Sequence, residues 1–196
     1  MNTARLEAFT DGVIAIVITI MVLEIHVPKG HDLASLKEEL PLLLAYVLSY
    51  VNVGIFWNNH HHMLHVTERI DGRVLWANLA LLFWLTLVPF VIRWIDETGF
   101  TTAPVAAYGF VLACAAISYV ILQRQIIACN GGAQSALAKA LGNDVKGKLS
   151  LLLYAAGFAL AFAQPWLAIA VYIAVAAMWL IPDRRIEARI AAARPR

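Results

Sequence analysis

The chain repeatedly returns to apolar runs of about twenty residues separated by short polar breaks, and that pattern leaves few folds open. A helix crossing the hydrocarbon of a bilayer needs about 20 predominantly apolar residues. In lipid every backbone donor and acceptor must be satisfied within the segment, which restricts spanning structures to helices and closed barrels. Several such runs recur here, so the expectation is an all-α polytopic membrane protein. Composition agrees: 61% of the 196 residues are hydrophobic and 14% are charged. The mean hydropathy is +0.72. A water-soluble fold would lack the polar surface to cover such a core. The whole of residues 1–196 is taken up as a single transmembrane domain, with no length left for a separate soluble one.

Six spans are expected, over about residues 9–27, 41–60, 74–94, 103–123, 149–163 and 166–181. Pro28 ends the first, because its ring removes a donor and clashes with the preceding turn. Pro41 suits the first helical turn of the second. Asp96, Glu97, Gly99 and Pro104 separate the third from the fourth. The last two runs meet at Gln164-Pro165, and are either two short spans or a re-entrant hairpin; two spans are the preferred reading. The stretch 130–147 is small, polar and Gly-rich, a linker with room for one short helix. The halves share no motif or spacing, so the inverted repeat of many secondary transporters is not seen.

Lys and Arg then orient the bundle. Arg5, Arg69, Arg73, Arg124, Lys139, Lys146, Lys148 and the C-terminal Arg184, Arg185, Arg189, Arg194 and Arg196 all fall on one side of a six-span chain, with only Lys29, Lys37 and Arg93 opposite. The positive-inside rule places both termini in the cytoplasm. The net charge of +2 and the scatter of basic residues between apolar runs give no stripe suited to nucleic acid. Cys114 and Cys129 lie apart without a CxxC pair, so neither a zinc site nor a disulfide framework is expected, and no cofactor is implied. Ser118, Cys114 and Tyr119 find no general base with which to form an enzyme's constellation.

Polar groups at the margins of the spans carry the remaining information. Glu7 and Asp11 fall on one face four residues apart at the start of the first span, with Arg5 upstream. Charges at the membrane boundary are costly and usually partnered, although an interfacial cap would also account for them. At the far end of the second span stands Trp57-Asn58-Asn59-His60-His61-His62-Met63-Leu64-His65. His61 and His65 share a helical face, which permits a metal, but the later spans carry no histidine to complete one; hydrogen bonding to a neighbouring helix is the simpler reading. Trp76 suits an aromatic belt. Asn78 inside the third span seeks an interhelical hydrogen bond. Thr19 is the lone hydroxyl between Val13 and Leu23, and can bond its own backbone.

Arg5-Leu6-Glu7-Ala8-Phe9-Thr10-Asp11, followed by Val22-Leu23-Glu24-Ile25 and Pro28, resembles the R-x-x-x-F-[ST]-D opening of the transmembrane protein 175 family, the endolysosomal potassium channels and their bacterial relatives. Trp57, His60-His61, Asp71, Leu75, Trp76, Asn78 and Pro89 are similar to the pattern that follows in that family. The resemblance is specific through about the first 95 residues. It implies a six-helix subunit of the bacterial inner membrane that assembles as a homotetramer, with four copies of the first helix around a central pore. It also implies a polar network joining Arg5, Thr10 and Asp11 to His60 or His61, Trp76 and Asn78, with Phe9 part of the same motif. The family's constriction, carried over position by position, falls on Ile16, Ile20 and Leu23, with Thr19 beside them.

The chain lacks the TVGYG carbonyl filter; Tyr108-Gly109 occurs without its preceding residues and within a span. A ring of Ile and Leu can gate by dewetting, so the implied function is a potassium-permeable cation channel with weak preference for K+ over Na+. The alternative is a carrier of metal or protons through the His60–His65 cluster. Its partners would be monovalent cations, the lipid bilayer and further copies of itself.

Overall fold

A computed structural model describes residues 3–28, 30 and 32–180, and every described regular element is helical. The long helices are α1 (Thr3–Leu23), α3 (Leu40–His65), α4 (Gly72–Thr86) running on into α5 (Val88–Thr98), α6 (Thr102–Cys129), α8 (Val145–Ala161) and α9 (Pro165–Leu180). Two one-turn-and-a-half helices, α2 (Leu33–Glu38) and α7 (Ala136–Leu141), lie in the connections. Among the described residues four helical stretches are long and apolar enough to cross a membrane: Thr3–Leu23, Leu40–His65, Gly72–Thr98 and Thr102–Cys129. The basic tail from Arg184 onward, Ile181 at the end of the sixth expected span, and Lys29 lie outside the described residues.

Helix bounds differ from the hydropathy pattern for identifiable reasons. α1 begins at Thr3 and α3 continues to His65, because helical hydrogen bonding persists beyond the apolar run wherever the turn remains satisfied. The third stretch breaks at Leu87, where Pro89 supplies no N–H and crowds the carbonyl four residues back. Asp71 fixes the other end: its Oδ1 accepts the N–H groups of Arg73 and Val74, both at 3.0 Å, so α4 starts at Gly72. Gly99, at φ +74°, takes the left-handed turn that sends the chain from α5 back into α6. At that end Phe100 stacks on Trp166 at 4.7 Å, holding the start of α9 against the α5–α6 turn.

The axis of the bundle is α6, which packs against α4, α5, α8 and α9 and is the most buried of the four long apolar stretches. Among the described residues α1 packs chiefly against α3, α4 and α5 and is buried over a much smaller share of its length than α6, so it lies at the edge of the bundle. Tyr172 of α9 is fully buried against Gly109 of α6 and Gly157 of α8. A Cβ at Gly109 would stand 1.9 Å from the Tyr172 hydroxyl, and one at Gly157 2.4 Å from its ring. Only glycine admits that ring. Beside it Ser49 Oγ donates to Tyr108 Oη at 3.0 Å, Asn52 Nδ2 reaches the same oxygen at 3.3 Å, and Tyr154 Oη donates to Asn52 Oδ1 at 3.3 Å. α3, α6 and α8 are thereby tied at a depth where an unpaired polar group would be costly.

Candidate functional site

α1 has two faces. Leu6, Thr10, Ile14, Val17 and Met21, spaced by three or four residues, are buried on α3, α4 and α5. The opposite face carries Phe9, Ile16, Thr19, Ile20 and Leu23, all exposed in the single chain; Ile16 is 59% and Leu23 79% accessible. The expected constriction residues Ile16, Thr19, Ile20 and Leu23 are therefore brought onto one outward stripe. The Thr19 hydroxyl donates to its own helix, to the carbonyls of Ala15 at 3.0 Å and Ile16 at 2.9 Å.

The buried face is fastened by polar groups at the end of α1 that holds the N-terminus. Thr10, Asn78 and His60 are each fully buried. Asn78 Nδ2 donates to Thr10 Oγ1 at 2.9 Å, and its Oδ1 lies 2.8 Å from His60 Nε2. With Asn78 in that orientation its oxygen must accept, so Nε2 carries the proton and donates. His60 Nδ1 is buried without a hydrogen-bond partner among the described residues. On a less buried face of the same helices, Trp57 Nε1 donates to Asp11 Oδ1 at 2.8 Å and His61 Nδ1 meets Glu7 Oε1 at 2.8 Å. A step of four along α1 matches a step of four in reverse along α3, which is the register of antiparallel neighbours. Trp57, His61 and His65 stack along the exposed edge of α3, at 6.0 Å and 6.2 Å between successive rings.

Of the residues expected in the network, the structure brings together Thr10, Asn78 and His60 in one chain, and Asp11 and His61 in adjacent pairs with Trp57 and Glu7. Arg5 and Trp76 stand apart. Arg5 is exposed and forms no hydrogen bond or ion pair among the described residues, and Trp76 is 75% accessible. Phe9 faces outward with them. Among the described residues no three His, Cys, Asp or Glu side chains converge in a metal-holding group.

Sequence reasoning missed the fastening at the other end of α1. Arg93 of α5 binds Glu24 through Nη1 at 3.2 Å and Glu97 through Nε at 2.9 Å, and His26 pairs with Asp96. Arg93 and Glu97 are one helical turn apart, a spacing that signals a pair. Glu24, distant in sequence, offered no such signal. Between the two fastenings a groove of about 410 Å³ runs along α1 and α5, floored by Val17 and Pro89 and flanked by Ile16, Ile20 and Phe90.

These features find close counterparts. The family model described as endosomal/lysosomal potassium channel TMEM175 matches residues 5–89, the part of the chain holding α1, the network and Pro89. A potassium channel of Chryseobacterium sp. (strain P1-3) is 50% identical over 187 residues, covering 95% of this chain and 97% of its own. The human endosomal/lysosomal proton channel TMEM175 is 36% identical over 96 residues, 42% of this chain and 19% of its own. The crystal structure of a lysosomal potassium-selective channel TMEM175 homolog from Chamaesiphon minutus superposes with a TM-score of 0.79 at 28% identity, covering 91% of this chain and 96% of that one. The fold and the relatives are those of a membrane ion channel, not of an enzyme. The chain belongs to the TMEM175 family.

Proposed function

We propose that the chain is a potassium-permeable channel subunit of the bacterial inner membrane. Six spans, with α8 and α9 counted as the last two, put both termini in the cytoplasm, and four copies surround a pore lined by α1. The two-faced character of α1 carries this reading. One face is buried and fastened by polar ties at both ends, while the other presents Ile16, Ile20 and Leu23, at helical repeats, exposed on the surface of the single chain. A rigidly held helix with an unpartnered apolar stripe is what a four-fold ring of constrictions requires. A ring of branched aliphatic side chains excludes water when narrow, so ions pass only by shedding hydration. Without a carbonyl cage, the preference for K+ over Na+ is weak.

The polar ties belong to the scaffold in this reading. Thr10, Asp11, His60, His61 and Asn78 hold α1 at its angle; Arg5, Phe9 and Trp76, exposed in one subunit, lie where neighbouring copies or lipid headgroups would meet them. The proton channels among the relatives give the alternative some support: a proton- or metal-conducting route through His60–His65. Purified protein in liposomes separates the two. Potassium flux exceeding sodium flux by a modest factor, with no accompanying pH change, is expected. Proton flux without potassium flux, abolished by His61→Gln, would move conduction to the histidine cluster.

A further inference from the structure

α5 and the end of α1 beside it are anchored very differently. Val88, Val91, Ile92 and Ile95 of α5 are all buried, and α5 packs on α6 and α3 as well as on α1, so it is a fixed post of the bundle. The end of α1 away from the N-terminus has no comparable anchorage. Its last buried side chain is Met21. Of Val22, Leu23, Ile25 and Val27, which follow, only Ile25 packs on the core, and only in part. The groove of about 410 Å³ separates the two helices here, along Val13, Val17 and Ile20 on one side and Pro89 and Phe90 on the other. α5 therefore leaves the space beside two stripe residues, Ile16 and Ile20, unfilled.

Arg93 bridges that gap. Glu97, one turn along α5, takes its Nε at 2.9 Å and so orients the guanidinium, while Nη1 reaches across to Glu24 Oε2 at 3.2 Å. Glu24 stands at the end of the groove, one residue past Leu23, and its N–H donates to the Ile20 carbonyl at 3.3 Å. His26 pairs with Asp96 of α5 just beyond. The last turn of α1, which carries the outermost stripe residues, is thereby tied to the fixed helix by charged side chains across a gap. An exposed pair of this kind adds little to folding. Choosing between nearby positions of one helical turn needs little, because a small bias in free energy is enough to shift such a population.

We propose that Arg93 is a positioning residue for ion selectivity: by holding Glu24 across the groove it fixes where Ile20 and Leu23 stand in the constriction. The inference rests on the reading of α1 as the pore helix. With the tie in place, four copies of the last turn occupy one position and form one ring. Without it each turn samples several positions beside the groove, and a ring of side chains that are not fixed discriminates between K+ and Na+ less sharply. Arg93 itself touches no ion in this scheme and acts only through α1.

Potassium and sodium flux into liposomes, measured for Glu24→Gln, Arg93→Gln, the double variant and Ile20→Asn, tests the assignment. Glu24→Gln removes a negative charge and Arg93→Gln a positive one. Acting only through their field on passing cations, the two would change flux in opposite directions and leave the ratio alone, since K+ and Na+ carry the same charge. Positioning predicts the same direction for both: the K+/Na+ flux ratio should fall about twofold in each, the scale of one exposed pair, with little change in melting temperature. The double variant should fall no further, because each single change already removes the tie. Arg93→Lys, which keeps a charge within reach of Glu24, should retain most of the ratio. Opposite flux changes at a constant ratio, additive losses in the double variant, or an unchanged ratio where Ile20→Asn lowers it would overturn the proposal and leave the pore reading standing. An unchanged ratio in Ile20→Asn as well would remove both.

Discussion

The N-terminal and C-terminal halves of this bundle are held together by different chemistry. α1, α3 and α4 meet through hydrogen bonds between side chains: Thr10 with Asn78, Asn78 with His60, Asp11 with Trp57, Glu7 with His61. α6, α8 and α9 carry hydrogen bonds too, Trp179 to Ser150 and Tyr172 to the Val105 carbonyl, but their close approach depends on shape, with the Tyr172 ring seated where Gly109 and Gly157 have no side chain. Polar ties demand particular residue types at particular spacings and leave a motif. Shape demands only that one site be small where another is large, and many pairs satisfy it. The family model matches residues 5–89, the polar half, while the Chryseobacterium relative, 50% identical over 187 residues, spans both halves.

The largest effect should come from breaking the shape-held half. Gly109→Ala places a methyl group 1.9 Å from the Tyr172 hydroxyl, and overpacking of this kind costs about 1–3 kcal/mol or more. The yield of monodisperse protein on size exclusion should collapse. Tyr172→Leu in the same chain should restore part of it. A Gly109→Ala protein that is fully folded would show that the ring can leave its seat cheaply, and that the two halves do not differ as described.

Next is the tie at the centre of the polar half. Asn78→Leu leaves Thr10 and His60 buried without their partner, a cost of about 1–3 kcal/mol for an unsatisfied buried group. Interhelical hydrogen bonds in membranes run nearer 0.6–2 kcal/mol, so a drop of several degrees in melting temperature is expected, below that from Gly109→Ala. The double variant Asn78→Leu with His60→Leu should lose less than the two single changes together, because removing both partners leaves fewer orphaned groups. Strict additivity would mean the Asn78–His60 bond is not formed.

A smaller effect belongs to the far end of α1. Arg93 is 56% exposed in its pair with Glu24, so Arg93→Gln should cost under about 1 kcal/mol, and less as salt is raised. A loss that persists at 1 M salt would place the pair in a drier setting than the single subunit shows. The smallest change is Thr19→Val. Its hydroxyl bonds only its own helix, so thermal stability should stay within about 0.5 kcal/mol.

The spans were legible where apolar runs are long, because lipid imposes a length on the chain. Their ends were not, since hydropathy marks where side chains turn polar and not where backbone hydrogen bonding stops; α3 therefore continues through His60–His65. Proline at 89 was visible, but the break at Leu87 depends on its ring meeting the carbonyl one turn back. Thr10, Asn78 and His60 announced themselves as polar residues out of place in an apolar setting. Gly109 did not, because its reason is Tyr172, in another helix. The Glu24–Arg93 pair stayed hidden for the same cause: a charge near a helix end is unremarkable until its partner, 69 residues away, is brought to 3.2 Å.

The direct test of the account is whether the outward stripe of α1, and not its buried face, governs conduction. Ile20→Asn and Val17→Asn place the same amide three residues apart, on the stripe and under it; Val17 is 2% accessible where Ile20 is 39%. Potassium and sodium flux into liposomes would be measured for both at matched incorporation of folded protein. The account predicts that Ile20→Asn hydrates the constriction, raising flux and lowering the preference for K+, while Val17→Asn reduces the folded fraction without changing the flux ratio of the protein that remains. Equal changes in flux and preference from the two substitutions would contradict it.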